Sequence, residues 1–291
     1  MTARSTATLV GFTAVLMWSI LALLSAAAGP LPPFQLTAMA FTIGSLLGLA
    51  TWFGRPSAAA ALHQRWQVWL LGVAGLFGYH LVYFTAMRNA PAIEVSLIAY
   101  LWPLLLVVFS AFLPGERLKA HHVIGVALGL LGAFVVISKG QGFGFEGGFR
   151  LGHLLALGCA MIWAGYSTLS RRLGNVPTDA VVGFCMATAV LSALCHLAFE
   201  TTVWPASAGA WLAVLGLGLL PVGAAFYTWD YGVKHGDIMV LGASSYVSPV
   251  LSTIVLVLAG YAAASWSVLV ACLLITAGAV IAAKDMLFPR R

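Results

Sequence analysis

Charged residues are scarce in this chain, and acidic residues are the scarcest of them. Only 8% of the 291 residues are Asp, Glu, Lys or Arg, whereas a soluble globular domain carries about a quarter. Hydrophobic residues make up 62% of the chain, and the mean hydropathy is +1.00. This composition excludes a soluble domain of this length and predicts an integral membrane protein.

The chain also lacks any clustered set of catalytic or metal-ligating residues. Its four cysteines, Cys159, Cys185, Cys195 and Cys272, all fall in apolar runs without a CxxC or metal-ligand spacing, and its seven histidines are scattered. A membrane enzyme would need clustered acids, a nucleophile with its base, or metal ligands near one interface. We therefore expect no enzyme activity, no cofactor and no metal. The net charge of +6 is explained by anionic lipid at the inner leaflet, so no nucleic-acid partner is expected.

Long apolar runs are what the chain does contain. Ten of them have about the length that crosses a hydrocarbon core of roughly 30 Å. They cover about 8–28, 33–53, 67–87, 93–113, 121–138, 152–171, 180–199, 209–232, 238–260 and 265–284. We predict an all-α integral membrane protein with ten transmembrane helices embedded in the lipid bilayer. The first run is longer than the apolar core of a signal peptide, so we interpret it as a span.

Basic residues gather on one side of this topology. If the N-terminus is cytoplasmic, eleven of the 14 Lys and Arg residues lie on the cytoplasmic side, and only Arg88, Lys139 and Arg150 lie on the other. Short loops rich in Lys and Arg usually face the cytoplasm. We therefore predict that both the N-terminus and the C-terminus are cytoplasmic.

The two halves of the chain repeat each other with an offset of 146 residues. Tyr100-Leu101-Trp102-Pro103 corresponds to Tyr246-Val247-Ser248-Pro249, and one residue of drift places Trp18 on Trp163. The Gly-rich stretch Gly140–Gly144 divides the chain into a first repeat, residues 1–140, and a second repeat, residues 141–291. Each repeat contains five spans, and an odd number forces the second copy to be inverted relative to the first.

Several aromatic and polar side chains lie at membrane depth, where they need partners. They would give a midplane site between the repeats an aromatic wall with a few polar tips, which suits a zwitterion with an apolar side chain. The candidate substrate-binding residues are Trp18, Tyr79, His80, Tyr83, Tyr100, Trp102, Trp163, Ser244 and Tyr246. Helix packing is the alternative role for Trp18 and Trp163, and a structural hydrogen bond is the alternative for His80. Three prolines, Pro103, Pro221 and Pro249, are candidate hinges.

Energy coupling stays open on the residues alone. Asp230 is the acid that lies clearly within a span, and an isolated carboxylate there is costly unless it is paired or hydrated. It could exchange protons, or it could reach the inner headgroups beside Lys234, and we favour the second reading. The sequence is compatible with proton antiport and with an uncoupled facilitator.

Three motifs give the chain a resemblance to a known family. They are Met17-Trp18-Ser19 in the first span, Ala86-Met87-Arg88-Asn89-Ala90-Pro91 before the Tyr100 motif, and Gly115-Glu116-Arg117-Leu118. In this order the chain resembles the drug/metabolite transporter superfamily, in particular its EamA-type ten-span exporters. Ala262-Ala263 replaces the Glu116-Arg117 pair in the second repeat. Within the superfamily the chain is most similar to aromatic amino acid exporters of the YddG type, because Tyr100 and Trp102 stand where many relatives have small residues.

This resemblance implies a secondary transporter of the bacterial inner membrane. The implied substrate is a small molecule, an aromatic or other neutral amino acid, exported by alternating access from a midplane cavity. The alternatives are an exporter of another small metabolite or drug, such as a nucleoside or lipophilic solute, and an uncoupled channel-like facilitator. Faces of small residues such as Gly44 and Gly48 favour packing within one chain. We expect a monomer, with a homodimer through the same faces as the alternative.

Overall fold

Helices form almost the whole of the described chain. The computed structural model describes residues 2–90, 92–137, 150–260, 266–282 and 284. The α-helices are α1 (Ala3–Trp18), α2 (Leu21–Ala27), α3 (Pro33–Ala50), α4 (Trp66–Val73), α5 (Tyr79–Asn89), α6 (Ala92–Ala99), α7 (Trp102–Ser110), α8 (Ala120–Ile137), α9 (Leu151–Arg172), α10 (Ala180–Phe199), α11 (Ala208–Leu219), α12 (Ala225–His235), α13 (Ile238–Ser244), α14 (Val247–Leu258) and α15 (Trp266–Ala282). A 3-10 helix, Pro56–Leu62, lies between α3 and α4.

These helices combine into ten membrane spans. In the first repeat, span 1 is α1 with α2, span 2 is α3, span 3 is α4 with α5, span 4 is α6 with α7, and span 5 is α8. In the second repeat, span 6 is α9, span 7 is α10, span 8 is α11 with α12, span 9 is α13 with α14, and span 10 is α15. Six of the segments are long and apolar enough to cross a bilayer on length and composition alone. The predicted architecture of ten transmembrane helices in two five-helix repeats is confirmed. The predicted boundary at Gly140–Gly144 lies outside the described residues.

The helix ends follow the sequence prediction closely, with one clear difference. Span 1 begins at Ala3, five residues before the apolar run. The side chain of Thr2 accepts a hydrogen bond from the Ser5 backbone at 3.2 Å and caps the first turn. Hydropathy alone missed this turn because its polar side chains lie outside the apolar stretch.

Spans 3 and 8 contain the same local irregularity at equivalent positions. A π-helical turn joins α4 to α5 at Ala74–Gly78, and another joins α11 to α12 at Leu220–Ala224. The second turn begins 146 residues after the first, which is the offset of the sequence repeat. A π-helical turn interrupts the regular hydrogen-bond ladder and is common at functional sites. The duplication therefore extends to the backbone of these two spans.

Spans 4 and 9 are both broken just before a proline. Helix α6 ends at Ala99, α7 begins at Trp102 and Pro103 is its second residue, while α13 ends at Ser244 and α14 begins at Val247. Proline has no backbone N–H and its ring clashes with the preceding turn, which explains the breaks. Both Tyr-x-x-Pro motifs thus mark interruptions inside a span.

The spans pack in pairs that respect the duplication. Span 1 packs on span 8, and its counterpart, span 6, packs on span 3; spans 2 and 7 pair with each other, as do spans 5 and 10. Glycines allow the closest contacts. A Cβ atom on Gly11 would lie 2.9 Å from the Cα atom of Gly232, and one on Gly125 would lie 2.5 Å from the carbonyl oxygen of Gly278. Small residues let helix backbones approach in this way inside membranes.

Candidate functional site

Four tryptophans from four different spans meet inside the bundle. Trp18 ends α1, Trp102 begins α7, Trp163 lies in α9 and Trp229 lies in α12. The ring centroid of Trp18 lies 5.1 Å from that of Trp229, 5.6 Å from Trp163 and 6.3 Å from Trp102. Trp102 and Trp163 are 6.3 Å apart and nearly perpendicular, an arrangement that aromatic rings favour. We call Trp18, Trp102, Trp163 and Trp229 the tryptophan cluster.

The indole N–H groups of the cluster fall into two classes. Trp18 Nε1 donates to the Pro221 carbonyl at 2.9 Å, and Trp229 Nε1 donates to Ser167 Oγ at 3.0 Å. Within the described part of the chain, the N–H groups of Trp102 and Trp163 have no acceptor. Neither nitrogen is a buried atom without a partner, so both N–H groups face accessible space. Two of the four donors are thus left for a ligand or water.

Two tyrosines continue the aromatic wall from the cluster along span 3. The Tyr79 ring lies 5.9 Å from that of Trp163 and stacks on Tyr83, also at 5.9 Å with an angle of 8°. Tyr100, at the break in span 4, packs against a core cluster that contains Tyr246 of the second repeat. Tyr79, Tyr83 and Tyr100 are half-buried. Five of the predicted binding residues therefore lie in one aromatic surface: Trp18, Tyr79, Tyr83, Trp102 and Trp163.

His80 occupies a defined tautomer beside this wall. Its Nδ1 lies 2.7 Å from the carbonyl oxygen of Leu76, in the π-helical turn. Because a carbonyl oxygen can only accept, Nδ1 carries the hydrogen, and Nε2 of the neutral ring is an acceptor. The ring packs against Phe41 at 5.3 Å and Tyr79 at 5.5 Å. Nε2 makes no hydrogen bond to a described residue, so it is available to a ligand.

The remaining predicted binding residues lie apart from the tryptophan cluster. Tyr246 is fully buried in a second core cluster, where its ring fills the space left by Gly129. Its hydroxyl has no hydrogen-bond partner among the described residues. Ser244 donates back to the Leu241 carbonyl of its own helix at 3.1 Å. In this conformation Tyr246 packs against span 5 and Ser244 bonds to its own helix. A substrate contact for either residue stays a prediction.

The three predicted hinge prolines all lie at helix irregularities. Pro221 is in the π-helical turn of span 8, and its carbonyl binds Trp18. Pro103 and Pro249 each lie in the first turn after a break in spans 4 and 9. The Pro249 carbonyl accepts from Thr253 Oγ1 at 2.8 Å. Their role as pivots stays a prediction.

Sequence reasoning missed two aromatic members of this region. Trp229 is fully buried at the centre of the cluster, and Phe226 stacks on Phe41 at 5.4 Å and contacts Trp18 at 6.2 Å. The signal was present in the repeat. An offset of 146 places Trp229 on Tyr83 and Phe226 on His80, so the counterparts of two predicted residues complete the aromatic surface.

The interpretation of Asp230 as a group that reaches the headgroups was wrong. Its side chain is only 2% exposed and forms an ion pair with Lys234 at 2.7 Å. Thr178 Oγ1 donates to the same carboxylate at 2.7 Å, and Lys234 Nζ also donates to the Val176 carbonyl at 2.9 Å. Burial of an ion pair is tolerated when both charges are paired and hydrogen-bonded. The pair lies between span 8 and the loop after span 6.

A second ionic group joins the two repeats on the side of the bundle where Arg4 lies, which we call the Arg4 side. Arg171, at the end of span 6, contacts Glu116 at 2.6 Å. Arg4 contacts the same carboxylate and also Asp237, both at 3.0 Å. Glu116 follows span 4 and is 9% exposed. We call Arg4, Glu116, Arg171 and Asp237 the Glu116 network.

Comparison with known proteins identifies the family. The sequence profile of the EamA-like transporter family matches the chain twice, at residues 5–138 and 150–283. The chain belongs to the EamA-like transporter family. It is therefore a multi-pass membrane transporter, which agrees with the resemblance seen in its sequence motifs and with ten spans in two repeats.

Relatives in this family are similar over almost the full length of the chain. The aromatic amino acid exporter YddG of Ancylobacter novellus is 54% identical over 280 residues, which is 96% of this chain and 97% of the relative. The exporter of the same name from Escherichia coli is 26% identical over 86% of this chain and 87% of its own length. The pseudopaline exporter CntI of Pseudomonas aeruginosa is 27% identical over 89% and 87%. A crystal structure with 53% identity superposes with a TM-score of 0.91 and covers 97% of each chain.

Proposed function

We propose that this transporter exports aromatic and other neutral amino acids from the cytoplasm across a bacterial inner membrane. Its N-terminus and C-terminus are then cytoplasmic, the Arg4 side is the cytoplasmic side, and the working unit is a monomer. The similarity to the YddG exporter of Ancylobacter novellus, 54% over 96% of the chain, supports the class of substrate. The observation that carries the proposal is the tryptophan cluster with its two unused donors.

The cluster offers complementary groups to the carboxylate of an amino acid. The N–H groups of Trp102 and Trp163 come from different repeats, and their rings are 6.3 Å apart. Hydrogen bonds to an ionised acceptor are stronger than neutral ones, and they gain further in a site that excludes water. We infer that these two indoles bind the substrate carboxylate from opposite repeats. Relative movement of the repeats would then change both contacts together.

The ammonium group and the side chain of the substrate have partners nearby. His80 Nε2 is an acceptor for the ammonium, and Tyr79 lies between His80, at 5.5 Å, and Trp163, at 5.9 Å. The acceptor and one donor thus flank a single aromatic ring. The stacked rings of Tyr79 and Tyr83 provide the apolar surface for an aromatic side chain. This arrangement binds both charged groups of a zwitterion, and the side chain of the substrate then packs against Tyr79 and Tyr83.

Alternating access follows from the interruptions in the spans. The π-helical turns of spans 3 and 8 and the breaks in spans 4 and 9 surround the aromatic surface. Such points let the two halves of a helix pivot. Toward the Arg4 side, a cavity between Tyr166, Ser170 and Asp230 has a volume of about 10 Å³, which holds one water and no amino acid. The ion pairs Arg4–Asp237 and Arg171–Glu116 join the two repeats on that side, and we infer that this conformation is closed toward the proposed cytoplasm.

The acidic residues favour transport driven by the amino acid gradient alone. Proton relays inside a membrane use Asp, Glu or His side chains, and His80 is assigned above to the substrate ammonium. Each acid whose side chain is described has a cation or backbone N–H group as its partner: Glu116, Asp179, Glu200, Asp230 and Asp237. We propose an uncoupled exporter. Net efflux would then be independent of an imposed pH gradient.

Transport by the purified protein in liposomes tests the function. Liposomes loaded with labelled phenylalanine should release it faster when the protein is present, and the rate should saturate with internal concentration. Tryptophan and threonine should compete. Failure of every amino acid to move would refute the proposal, and a conductance that never saturates would indicate a channel instead. Competition only by pseudopaline would favour the cargo named for the CntI relative.

A single substitution separates the indole donor from the aromatic ring. Trp163→Phe keeps an aromatic ring and removes the N–H, so we expect the apparent affinity for phenylalanine to fall by about tenfold or more, the value of one hydrogen bond to a charged group. Binding to purified protein in nanodiscs measures it. Trp204→Phe is the matched control, because Trp204 is 66% exposed and stacks on Trp211 away from the cluster. Equal affinity in both variants would remove Trp163 from the site.

A further inference from the structure

The Glu116 network connects the two repeats on the Arg4 side of the bundle. Glu116 and Arg4 belong to the first repeat, and Arg171 and Asp237 belong to the second. Two of the three ion pairs, Arg4–Asp237 and Arg171–Glu116, therefore cross from one repeat to the other, and Arg4–Glu116 joins the two crossing pairs. Arg172 adds a further crossing link, donating to the Phe112 carbonyl at 3.0 Å. Opening of the Arg4 side requires these contacts to separate.

Arg171 is the central residue of this network. Its Nη1 donates to the carbonyls of Val233 and Gly236 at 2.8 Å and of Lys234 at 3.2 Å, at the end of span 8. Its Nη2 holds Glu116. A cation at a helix C-terminus satisfies the last carbonyls and the helix dipole. The guanidinium is thus fixed to spans 6 and 8, and Glu116 is the partner that can leave.

The repeat predicts where an equivalent network would lie on the opposite side, and the sequence lacks it there. The loops after spans 4 and 9 both turn at a glycine with positive φ, Gly115 at 81° and Gly260 at 79°. The position equivalent to Glu116 is Ala262, and the position equivalent to Asp237 is Pro91. Arg171 corresponds to Ser25 or Ala26, depending on the drift of one residue. Of the four positions, only Arg4 keeps a charged counterpart, Arg150.

The links between spans 2 and 7 are of a different kind, because these spans are tied at both ends. On the Arg4 side, Asp179 pairs with Arg55 at 3.1 Å. On the opposite side, Glu200 accepts from the backbone N–H groups of Phe34 and Gln35 at 3.0 and 3.1 Å. A pair of helices fixed at both ends moves as one body and does not open at either side. The Arg55–Asp179 pair is therefore a natural control for the Glu116 network.

We propose that the Glu116 network is the latch that holds the Arg4 side closed. Two repeats of identical sequence would hold the two sides with equivalent contacts. Glu116, Arg171 and Asp237 have no charged equivalent in the sequence of the other repeat, so this latch belongs to the Arg4 side. A contact made in one state only shifts the population toward that state. The inference rests on the proposed function, since a latch between repeats acts only in a carrier.

The test measures access to the Arg4 side without any substrate. The four cysteines are replaced by alanine, and Ser170→Cys adds a single thiol next to the 10 Å³ cavity, where Ser170 is 5% exposed. Protein in nanodiscs is treated with a polar maleimide. We expect slow labelling in this parent and an increase of about tenfold with Glu116→Gln, because one charge of a largely buried pair loses its partner. Asp179→Asn is the matched control and should leave the rate unchanged.

The outcomes separate the latch from the transport proposal. Unchanged labelling with Glu116→Gln overturns the latch, and so does an equal increase with Asp179→Asn, which would indicate general loosening. If Glu116→Gln does not assemble, Arg4→Gln takes its place, and a rate unchanged by that variant also overturns the latch. Phenylalanine exchange is measured in the same variants. If Glu116→Gln speeds maleimide labelling but no variant exchanges phenylalanine, only the proposed substrate is refuted. If phenylalanine is exchanged but Glu116→Gln leaves the labelling rate unchanged, only the latch is refuted.

Discussion

Spans 3 and 8 have nearly the same backbone and very different side chains. Both contain a π-helical turn at the same repeat position. After that turn span 3 carries Tyr79, His80 and Tyr83, whereas the equivalent positions of span 8 carry Ala225, Phe226 and Trp229. The polar group without a protein partner, His80 Nε2, lies on span 3, whereas the indole N–H of Trp229 on span 8 is bonded to Ser167.

The carbonyls of the two turns also find different partners. In span 3 the Leu76 carbonyl binds His80 from the same helix, and in span 8 the Pro221 carbonyl binds Trp18 from span 1. Farther along, Phe84 and Arg88 of span 3 correspond to the buried pair Asp230 and Lys234 of span 8. The two copies thus share the π-helical turn but differ in their side chains. Those of span 3 are placed to bind a ligand, and those of span 8 support the interior of the bundle.

We expect the largest effect from breaking the buried Asp230–Lys234 ion pair of span 8. Asp230→Ala leaves the buried Lys234 ammonium without its counter-ion, which should lower the free energy of unfolding by about 3–5 kcal/mol. Thermal unfolding of the purified protein measures it. The double variant Asp230→Leu with Lys234→Met removes both charges and should recover most of the loss. A double variant as unstable as the single one would contradict the ion-pair explanation.

We expect the next largest effect from a substitution that tests whether His80 of span 3 binds the substrate. His80→Asn keeps a donor for the Leu76 carbonyl, as Asn89 does for the Thr85 carbonyl of the same helix at 2.8 Å, and it removes the ring acceptor. We expect unchanged thermal stability and an apparent affinity for phenylalanine reduced by about tenfold, since an acceptor for a charged donor is lost. His80→Phe, which copies Phe226, should lose both stability and affinity. Full affinity in His80→Asn would make His80 a structural residue only.

We expect the smallest effect from substituting Arg88, the basic residue equivalent to Lys234. Arg88 is 56% exposed and lies 3.8 Å from Glu200, whereas its counterpart Lys234 is 3% exposed. Arg88→Gln should change the free energy of unfolding by no more than about 1 kcal/mol, because exposed ion pairs contribute little. Thermal unfolding measures this as well, with Lys234→Gln as the comparison. A large loss with Arg88→Gln would show that Arg88 supports the fold as Lys234 does.

The spans were predictable because the bilayer leaves so few choices. Inside hydrocarbon every backbone N–H and C=O group must be satisfied within the segment, so a long apolar run becomes a helix. Spans 7 and 9 begin at Ala180 and Ile238, where the apolar runs begin. The burial of Asp230 was missed because Thr178, which donates to Asp230, and Val176, which accepts from Lys234, lie on a loop that hydropathy does not position.

Part of the aromatic surface was predictable, and part was not. Trp18, Tyr79 and Trp163 stood out as aromatic residues at membrane depth, and they are in contact. Their contact with Trp229, and the division of the indoles into used and unused donors, depends on how each helix is rotated about its axis. Helix rotation is set by packing with neighbours, and a nearly uniform apolar sequence carries little information about it.

The sequence by itself determined the ten spans, their duplication and the family, because helices in a membrane are specified by local hydrogen bonds and by the length of apolar runs. Only the tertiary structure decided which polar groups meet. Trp18 finds its acceptor 203 residues away and Glu116 its cation 55 residues away. In a chain with so few charges, the pairing of each one follows from helix packing, and that pairing makes two similar repeats functionally unequal.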